Sequence, residues 1–375
     1  MKAIFAYVKD FIKSLDIVLV LICLSCSGIS VGCMWSFYVT GQRDLKTMLV
    51  QIAAVGLGLV TALVMSAIDY ETMARLWKLH APVAIGLVLL TFVIGVEVPG
   101  ADDRAWLDLG ITYLQPSELL KLSFILTFAL HLSKVGENIN RLKPFLLLCL
   151  HGAIPTLLIM LQGDFGTALV FVVIFVGMMF VAGLSVRWIA VGIAAVAAAA
   201  PFIWIFVVPD YLKERFFVAW HPENYLEGTG KGWQQYRGRI ALGSGELFGR
   251  GLGSGDLYNR VFAAHNDFIF SYIGQTLGFV GCIITLLLIT LFCVKILLTS
   301  RMSRDQLGTL ICVGVFAMFI FQAVVNIGMV LCVIPVIGIT LPFFSAGGTS
   351  VVVSYMAIGM VLSVYRHNKK ELMFD

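Results

Sequence analysis

Hydrophobic residues make up 59% of the 375 residues and charged residues only 13%, which excludes a soluble globular domain and predicts a polytopic membrane protein. The formal net charge is +4 at pH 7, and no nucleic-acid partner is expected. Ten apolar runs are long enough to cross a hydrocarbon core of about 30 Å. They cover residues 15–39, 47–68, 79–98, 117–134, 143–161, 166–184, 187–208, 268–297, 307–334 and 345–365.

The sequence therefore predicts an all-α protein of ten transmembrane helices that forms a single domain over residues 1–375. A long segment of about residues 209–267 separates helices seven and eight. With a cytoplasmic N-terminus, 15 of the 26 Lys and Arg residues fall on the cytoplasmic side, whereas short loops opposite keep only Arg43, Lys46 and Arg104. We therefore expect both termini in the cytoplasm and the long segment outside.

Charged and polar groups inside apolar runs need a reason, because burying them costs free energy. Glu118 and Lys121 lie three residues apart at the start of the fourth run, and they predict either a structural ion pair or a polar cavity that orients substrate. Asp164, between the fifth and sixth runs, predicts a helix cap or a cavity residue. The histidines at 131 and 151 and the eight cysteines, all in predicted spans, are expected to be packing residues.

Residues outside the predicted spans form a second group of candidates. Arg104 and Trp106 lie in a predicted outer loop, where they are expected to be either interfacial anchors or substrate contacts. The long segment is basic, and its arginines match phosphate oxygens or anionic lipid headgroups; they include Arg215, Arg237 and Arg239. Its glycine-rich stretch, residues 243–253, could supply backbone amides to a phosphate. The segment ends in Asp267, which it delivers to the membrane surface.

Five stretches resemble the SEDS proteins (shape, elongation, division, sporulation), in order along nearly the whole chain. They are QPSELLK, QGDFGTA, IALGSGELFGRGLGSG, HNDFIF with GQTLGFVG, and NIGMVLCVIPVIGITLPFFSAGGTSVVVSYMAIG. The resemblance implies a peptidoglycan glycosyltransferase in the bacterial plasma membrane. Such an enzyme polymerises lipid II and works with a class B penicillin-binding protein and other membrane proteins of the elongation complex; the short termini favour this elongation branch.

By the same resemblance Asp267 is the catalytic residue, and four positions are tied to activity or cavity structure: Trp106, Glu118, Lys121 and Asp164. The chain departs from the family pattern at Phe262-Ala263-Ala264, at Arg237-Gly238 and at Gln275-Thr276. A carboxylate is a natural general base for a sugar hydroxyl. The leaving pyrophosphate needs only charge stabilisation, by arginines or by a divalent cation such as Mg²⁺ or Mn²⁺. A lipid II flippase and a non-catalytic scaffold of the synthesis complex are the alternatives.

Overall fold

The computed structural model describes residues 10–98, 104–110, 112–206, 208, 210–222, 232–253 and 264–372. Phe262 and Ala263, where the sequence departs from the family pattern, lie outside the described residues. The helices are α1 (Ile17–Val39), α2 (Leu45–Ala67), α3 (Tyr70–Arg75), α4 (Trp77–Ile94), α5 (Pro116–Val135), α6 (Leu142–Leu161), α7 (Phe165–Val181), α8 (Val186–Phe206), α9 (Asp210–Trp220), α10 (Trp233–Gly243), α11 (Ile269–Met302), α12 (Gln306–Val330) and α13 (Gly348–Leu372).

Each of the ten predicted spans contains a helix. Nine helices of the described chain are long and apolar enough to cross a membrane, and α7 is a shorter apolar helix of 17 residues. Several boundaries differ from the prediction, and α13 continues to Leu372 instead of residue 365. The ninth helix stops at Val330 instead of residue 334, so Cys332 lies outside it, and α11 continues to Met302. The eight cysteines are all free.

The core is formed by α5, α11, α12 and α13, whose faces toward one another are mostly buried, while α2 packs closely along α13. Gly58 permits this close approach, since a side chain there would collide with the ring of Tyr355. Helix α8 has no buried residue in its apolar stretch. A two-stranded antiparallel hairpin, β1 (Leu107–Asp108) and β2 (Tyr113–Leu114), lies between α4 and α5.

The predicted packing role of the two histidines is confirmed, although they are not isolated. Nδ1 of His131 lies 3.1 Å from Nδ1 of His151 across α5 and α6, and Nε2 of His151 lies 3.2 Å from the hydroxyl of Thr127. The ring of Phe128 meets the His151 ring edge to face. Both imidazoles are therefore satisfied by neighbours inside the helix bundle.

Helix α11 is interrupted at Gly278, where the backbone has φ +68° and ψ −165°. An inserted loop, residues 245–251, forms four backbone hydrogen bonds with the residues of α11 on either side of this break. The amides of Arg250 and Gly251 donate to the carbonyls of Gln275 and Thr276, and the amides that follow Gly278 donate to carbonyls of the loop. Backbone groups freed by the break are thus paired again, as an apolar environment requires.

This arrangement corrects one expectation from the sequence. By its sequence the glycine-rich stretch could supply backbone amides to a phosphate, but the amides of Gly249, Arg250 and Gly251 all donate to carbonyls of the protein itself. Glycine is needed here for close approach, because a side chain at Gly245 or Gly249 would collide with the backbone of residues 274–278. The stretch is structural where it is described.

Candidate functional site

Asp267 lies two residues before α11, at the end of the bundle where the outer loops were predicted. Its carboxyl is half-buried, and burial, with a smaller contribution from the charge of Asp164, raises its pKa to about 6. Gly338 faces this carboxyl, so that a side chain there would begin 4.0 Å from Oδ2. The absence of a side chain at Gly338 therefore leaves this side of the acid uncovered by that residue.

The backbone around Asp267 is held by α12, which carries Asn326, and by the segment between α12 and α13. The side-chain amide of Asn326 donates to the carbonyl of Asp267 at 2.9 Å and to that of Ile339 at 2.7 Å. The hydroxyl of Ser345 donates to the carbonyl of Asn266 at 2.8 Å, and the amide of Ala346 donates to the carbonyl of His265 at 2.7 Å. Asp267 is therefore held on both sides by a folded segment and not by a free loop.

Asp164 approaches from α7. Its Oδ1 accepts the amide of Thr167 at 2.8 Å and caps the helix, as one of the two readings of the sequence predicted. Its Oδ2 accepts from the side-chain amide of Gln115 at 3.0 Å. Burial raises its pKa despite the hydrogen bonds from Thr167. Asp164 thus caps α7, and its charge also contributes to the raised pKa of Asp267.

Glu118 and Lys121 form the predicted ion pair at 2.8 Å on α5. The Lys121 side chain is only 1% exposed, which makes this a buried pair. Both charges also act on Asp164, Lys121 favourably and Glu118 unfavourably. The structure therefore brings together four of the predicted site residues: Glu118, Lys121, Asp164 and Asp267.

Arg43 and His265 add a polar pair that the sequence did not indicate. The guanidinium of Arg43, in the loop after α1, lies 3.2 Å from Nδ1 of His265. Burial, with a contribution from the charge of Arg43, lowers the pKa of His265 to about 4, so the ring is neutral at pH 7. Arg43 thereby places a cation beside His265, which lies two residues before Asp267 in the chain.

The remaining predicted site residues have partners of their own or none among the described residues. Arg104 is exposed and paired with Glu97 at 3.0 Å. Trp106 is half-buried, and its indole N–H has no partner among the described residues. In α10 the guanidinium of Arg237 lies over the Trp233 ring at 4.1 Å, and Arg239 is exposed.

Helix α10 itself packs against the start of α11, since a side chain at Gly238 would meet the ring of Phe268. Arg237 is therefore close to the segment that carries Asp267. Arg215 is half-buried in α9. Of the predicted arginines, Arg237 and Arg239 belong to α10, the helix that packs against α11.

Sequence reasoning missed three residues of this site: Arg43, Gln115 and Asn326. Asn326 could have been found, since an amide inside an apolar run is a functional signal in its own right. Arg43 could not, because its partner His265 lies 222 residues away. Among the described residues, no group of three or more His, Cys, Asp or Glu could hold a metal ion.

Comparisons with known proteins agree with this architecture. A family model described as "Cell cycle protein", which covers FtsW, RodA and SpoVE, matches residues 13–370. The peptidoglycan glycosyltransferase MrdB of Escherichia coli K12 is 32% identical over 95% of this chain and 94% of its own length.

Two solved structures share the fold. A chain from a peptidoglycan synthase complex that coordinates polymerization and crosslinking aligns with a TM-score of 0.77 and 29% identity, over 94% of this chain and 98% of its own. The crystal structure of the Thermus thermophilus rod shape determining protein RodA aligns with a TM-score of 0.70 and 27% identity, over 94% of this chain and 97% of its own.

Proposed function

The chain belongs to the FtsW, RodA and SpoVE family of peptidoglycan glycosyltransferases, and we propose that it polymerises lipid II with Asp267 as the general base. One observation carries this proposal. Asp267 is a half-buried carboxyl with a pKa raised to about 6, and hydrogen bonds from Asn326, Ser345 and Ala346 hold the backbone at residues 265–267. A base whose pKa lies just below the working pH is largely ionised and still accepts a proton well.

The reaction needs few groups from the protein. The 4-hydroxyl oxygen of one sugar forms a bond to the anomeric carbon of the next, and its proton passes to Asp267. The bond from that carbon to the pyrophosphate breaks, and the electron pair leaves with the lipid-linked pyrophosphate. General base catalysis of this kind contributes about 10² to 10⁴ in rate.

Charge on the departing pyrophosphate is stabilised by cations near Asp267. We propose Arg43 for this role, beside the neutral His265, together with Arg237 on α10. Lys121 is already paired with Glu118 and buried, which supports a role in fixing Asp164 and the cavity over direct binding of pyrophosphate. Arg104, Trp106, Arg215 and Arg239 remain proposed contacts to the outer parts of the substrate.

A divalent cation, Mg²⁺ or Mn²⁺, fits this site only in part. Mg²⁺ is commonly held by one or two carboxylates together with substrate phosphates. Asp164 and Asp267 could provide such a pair, since the charge of one acts on the other. We therefore propose that any cation is shared with the pyrophosphate, whose charge it would neutralise.

The partners follow from the same comparisons. Because the chain of similar fold in the synthase complex works where polymerization and crosslinking are coordinated, we propose a class B penicillin-binding protein as the transpeptidase partner. Similarity over nearly full length to MrdB and to a rod shape determining protein supports a role in cell-wall elongation.

The proposed orientation places the Asp267 end outside the cell and both termini in the cytoplasm. In a cysteine-free background, Leu109→Cys should react with an impermeant maleimide in cells whose outer barrier is opened, and Arg187→Cys should not. The two residues are exposed at opposite ends of the bundle. Labelling at Arg187→Cys alone would reverse the orientation and remove Asp267 from the lipid II sugars.

The direct test replaces the base without changing its shape. Asp267→Asn should lower the rate of glycan synthesis from labelled lipid II by about 10² or more, with unchanged thermal unfolding and partner binding. Asp44→Asn is the matched control, because Asp44 is exposed in an outer loop and its side chain caps no amide. Full synthesis by Asp267→Asn would refute the assignment of the base and favour the flippase or the scaffold.

A further inference from the structure

A basic groove lies where α5 ends and α6 begins, at the end of the bundle opposite Asp267. It has a volume of about 430 Å³, and its lining residues come from the turn between the two helices: Lys134, Val135, Asn138, Arg141, Lys143 and Pro144. Three of the six are cations, although the groove also has apolar walls. None of the six belongs to the site around Asp267.

The three cations of this groove, Lys134, Arg141 and Lys143, are exposed, and none of them forms an ion pair with a described residue. The acid nearest in sequence, Glu137, is exposed and lines a separate groove beside the start of α12. Like charges that line one groove repel one another, and an anion bound among them relieves that repulsion.

The backbone adds to the attraction. Helix α6 begins at Leu142, beside the groove, and no side chain caps it. Pro144 has no N–H, so the first amides at this end are those of Leu142 and Lys143. The first amides of a helix have no partner inside it and carry a partial positive charge, which favours phosphate groups. Two different kinds of donor, side-chain cations and helix amides, therefore converge on the same groove.

An apolar strip continues from the groove toward the middle of the membrane. Leu142, Leu146 and Leu150 are exposed and lie four residues apart, on one face of α6. A free phosphate makes no apolar contact with such a surface, whereas an acyl chain attached to a phosphate would pack along it. The chemistry of the whole surface is thus that of an anionic headgroup with its hydrocarbon tail.

We infer that this groove binds an anionic phospholipid, with the phosphate among Lys134, Arg141 and Lys143 and an acyl chain along the leucine strip. The leaflet is cytoplasmic under the orientation proposed above; the binding itself does not depend on that orientation or on Asp267. Each basic residue near an anionic membrane surface strengthens binding about fivefold. The three together give about a hundredfold preference for phosphatidylglycerol over phosphatidylcholine.

The test uses the purified full-length protein and native mass spectrometry in detergent, titrated with phosphatidylglycerol or phosphatidylcholine. The triple variant Lys134→Gln, Arg141→Gln, Lys143→Gln should lose phosphatidylglycerol binding about a hundredfold and leave phosphatidylcholine binding unchanged. The matched control Lys78→Gln, Arg187→Gln, Arg301→Gln removes the same charge from exposed residues at the same end of the bundle and should bind as the native protein does.

Equal loss in both triple variants would overturn the assignment, because it would reflect net charge and not this groove. Displacement of the lipid by inorganic phosphate at equal concentration would also overturn it, since the acyl chain would then contribute nothing. Lipid II polymerisation measured on the same samples keeps the two proposals separate. Loss of lipid binding with native folding leaves the assignment of Asp267 untouched.

Discussion

Lowering the pH from 7 to 5 should reduce the rate of glycan synthesis about tenfold, because the base must be ionised to accept a proton. With a pKa of about 6 for Asp267, about nine-tenths of the carboxyl is ionised at pH 7 and about one-tenth at pH 5. An aspartate at the ordinary value of 3.8 would stay almost fully ionised over this range. The titration of His265, whose pKa is lowered to about 4, cannot produce this decline.

The pH at which the rate declines should change when the charge of Asp164, the second cause of the raised pKa of Asp267, is removed. Asp164→Asn keeps an oxygen that can accept the amide of Thr167, so the cap of α7 is retained, while the negative charge is lost. The decline should then begin at lower pH. Asp305→Asn is the matched control, because Asp305 caps α12 at the opposite end of the bundle through the amide of Gly308.

The assay is the initial rate of polymerisation of labelled lipid II by the purified protein with its partner, between pH 4.5 and 8. Thermal unfolding at each pH separates loss of activity from loss of fold. Because Asp164 and Asp267 interact, the measured pKa belongs to the pair, and the shift between variants is the informative quantity. A native rate that stays level from pH 7 to pH 5 would refute the reasoning.

Two further predictions concern the buried pair and the helix break. The double variant Glu118→Lys, Lys121→Glu should fold yet remain inactive, because it places a carboxylate near Asp164 where Lys121 now stabilises it; native activity in the lipid II assay would show the pair to be structural only. Lys121→Ala alone should lower the free energy of unfolding by about 3–5 kcal/mol, since it leaves Glu118 buried without a partner. Gly278→Ala should destabilise the protein by at least about 1–3 kcal/mol, because φ +68° with ψ −165° is nearly restricted to glycine. Gly243→Ala, with open space around its Cβ, should cost much less, and equal losses in thermal unfolding would contradict this account.

Hydropathy and local spacing were sufficient for much of the fold and part of the site. The ten apolar runs each contain a helix, Pro116 opens α5 as expected, and the three-residue spacing of Glu118 and Lys121 gives an ion pair. These features depend on neighbours along the chain. Local patterns therefore predict them well.

The features that could not be predicted depend on distant segments. Nothing in the apolar run around Gly278 indicates a break, because the break is made by hydrogen bonds from the inserted loop. The segment between α12 and α13 is as apolar as a span, yet it is irregular, since Asn326 and Ser345 bind it to the segment that carries Asp267. Hydropathy cannot distinguish these two states.

The inserted loop also sets an order for membrane insertion. An unpaired backbone group in hydrocarbon costs several kcal/mol, so the interrupted α11 is stable only when residues 245–251 are already in position. The loop precedes α11 in the chain and is therefore synthesised first. Helix α11 then inserts next to residues 245–251, which pair with its interrupted backbone. The first turns of α11 and the loop thus join the membrane as one unit, and Asp267 reaches its position only when that unit has formed.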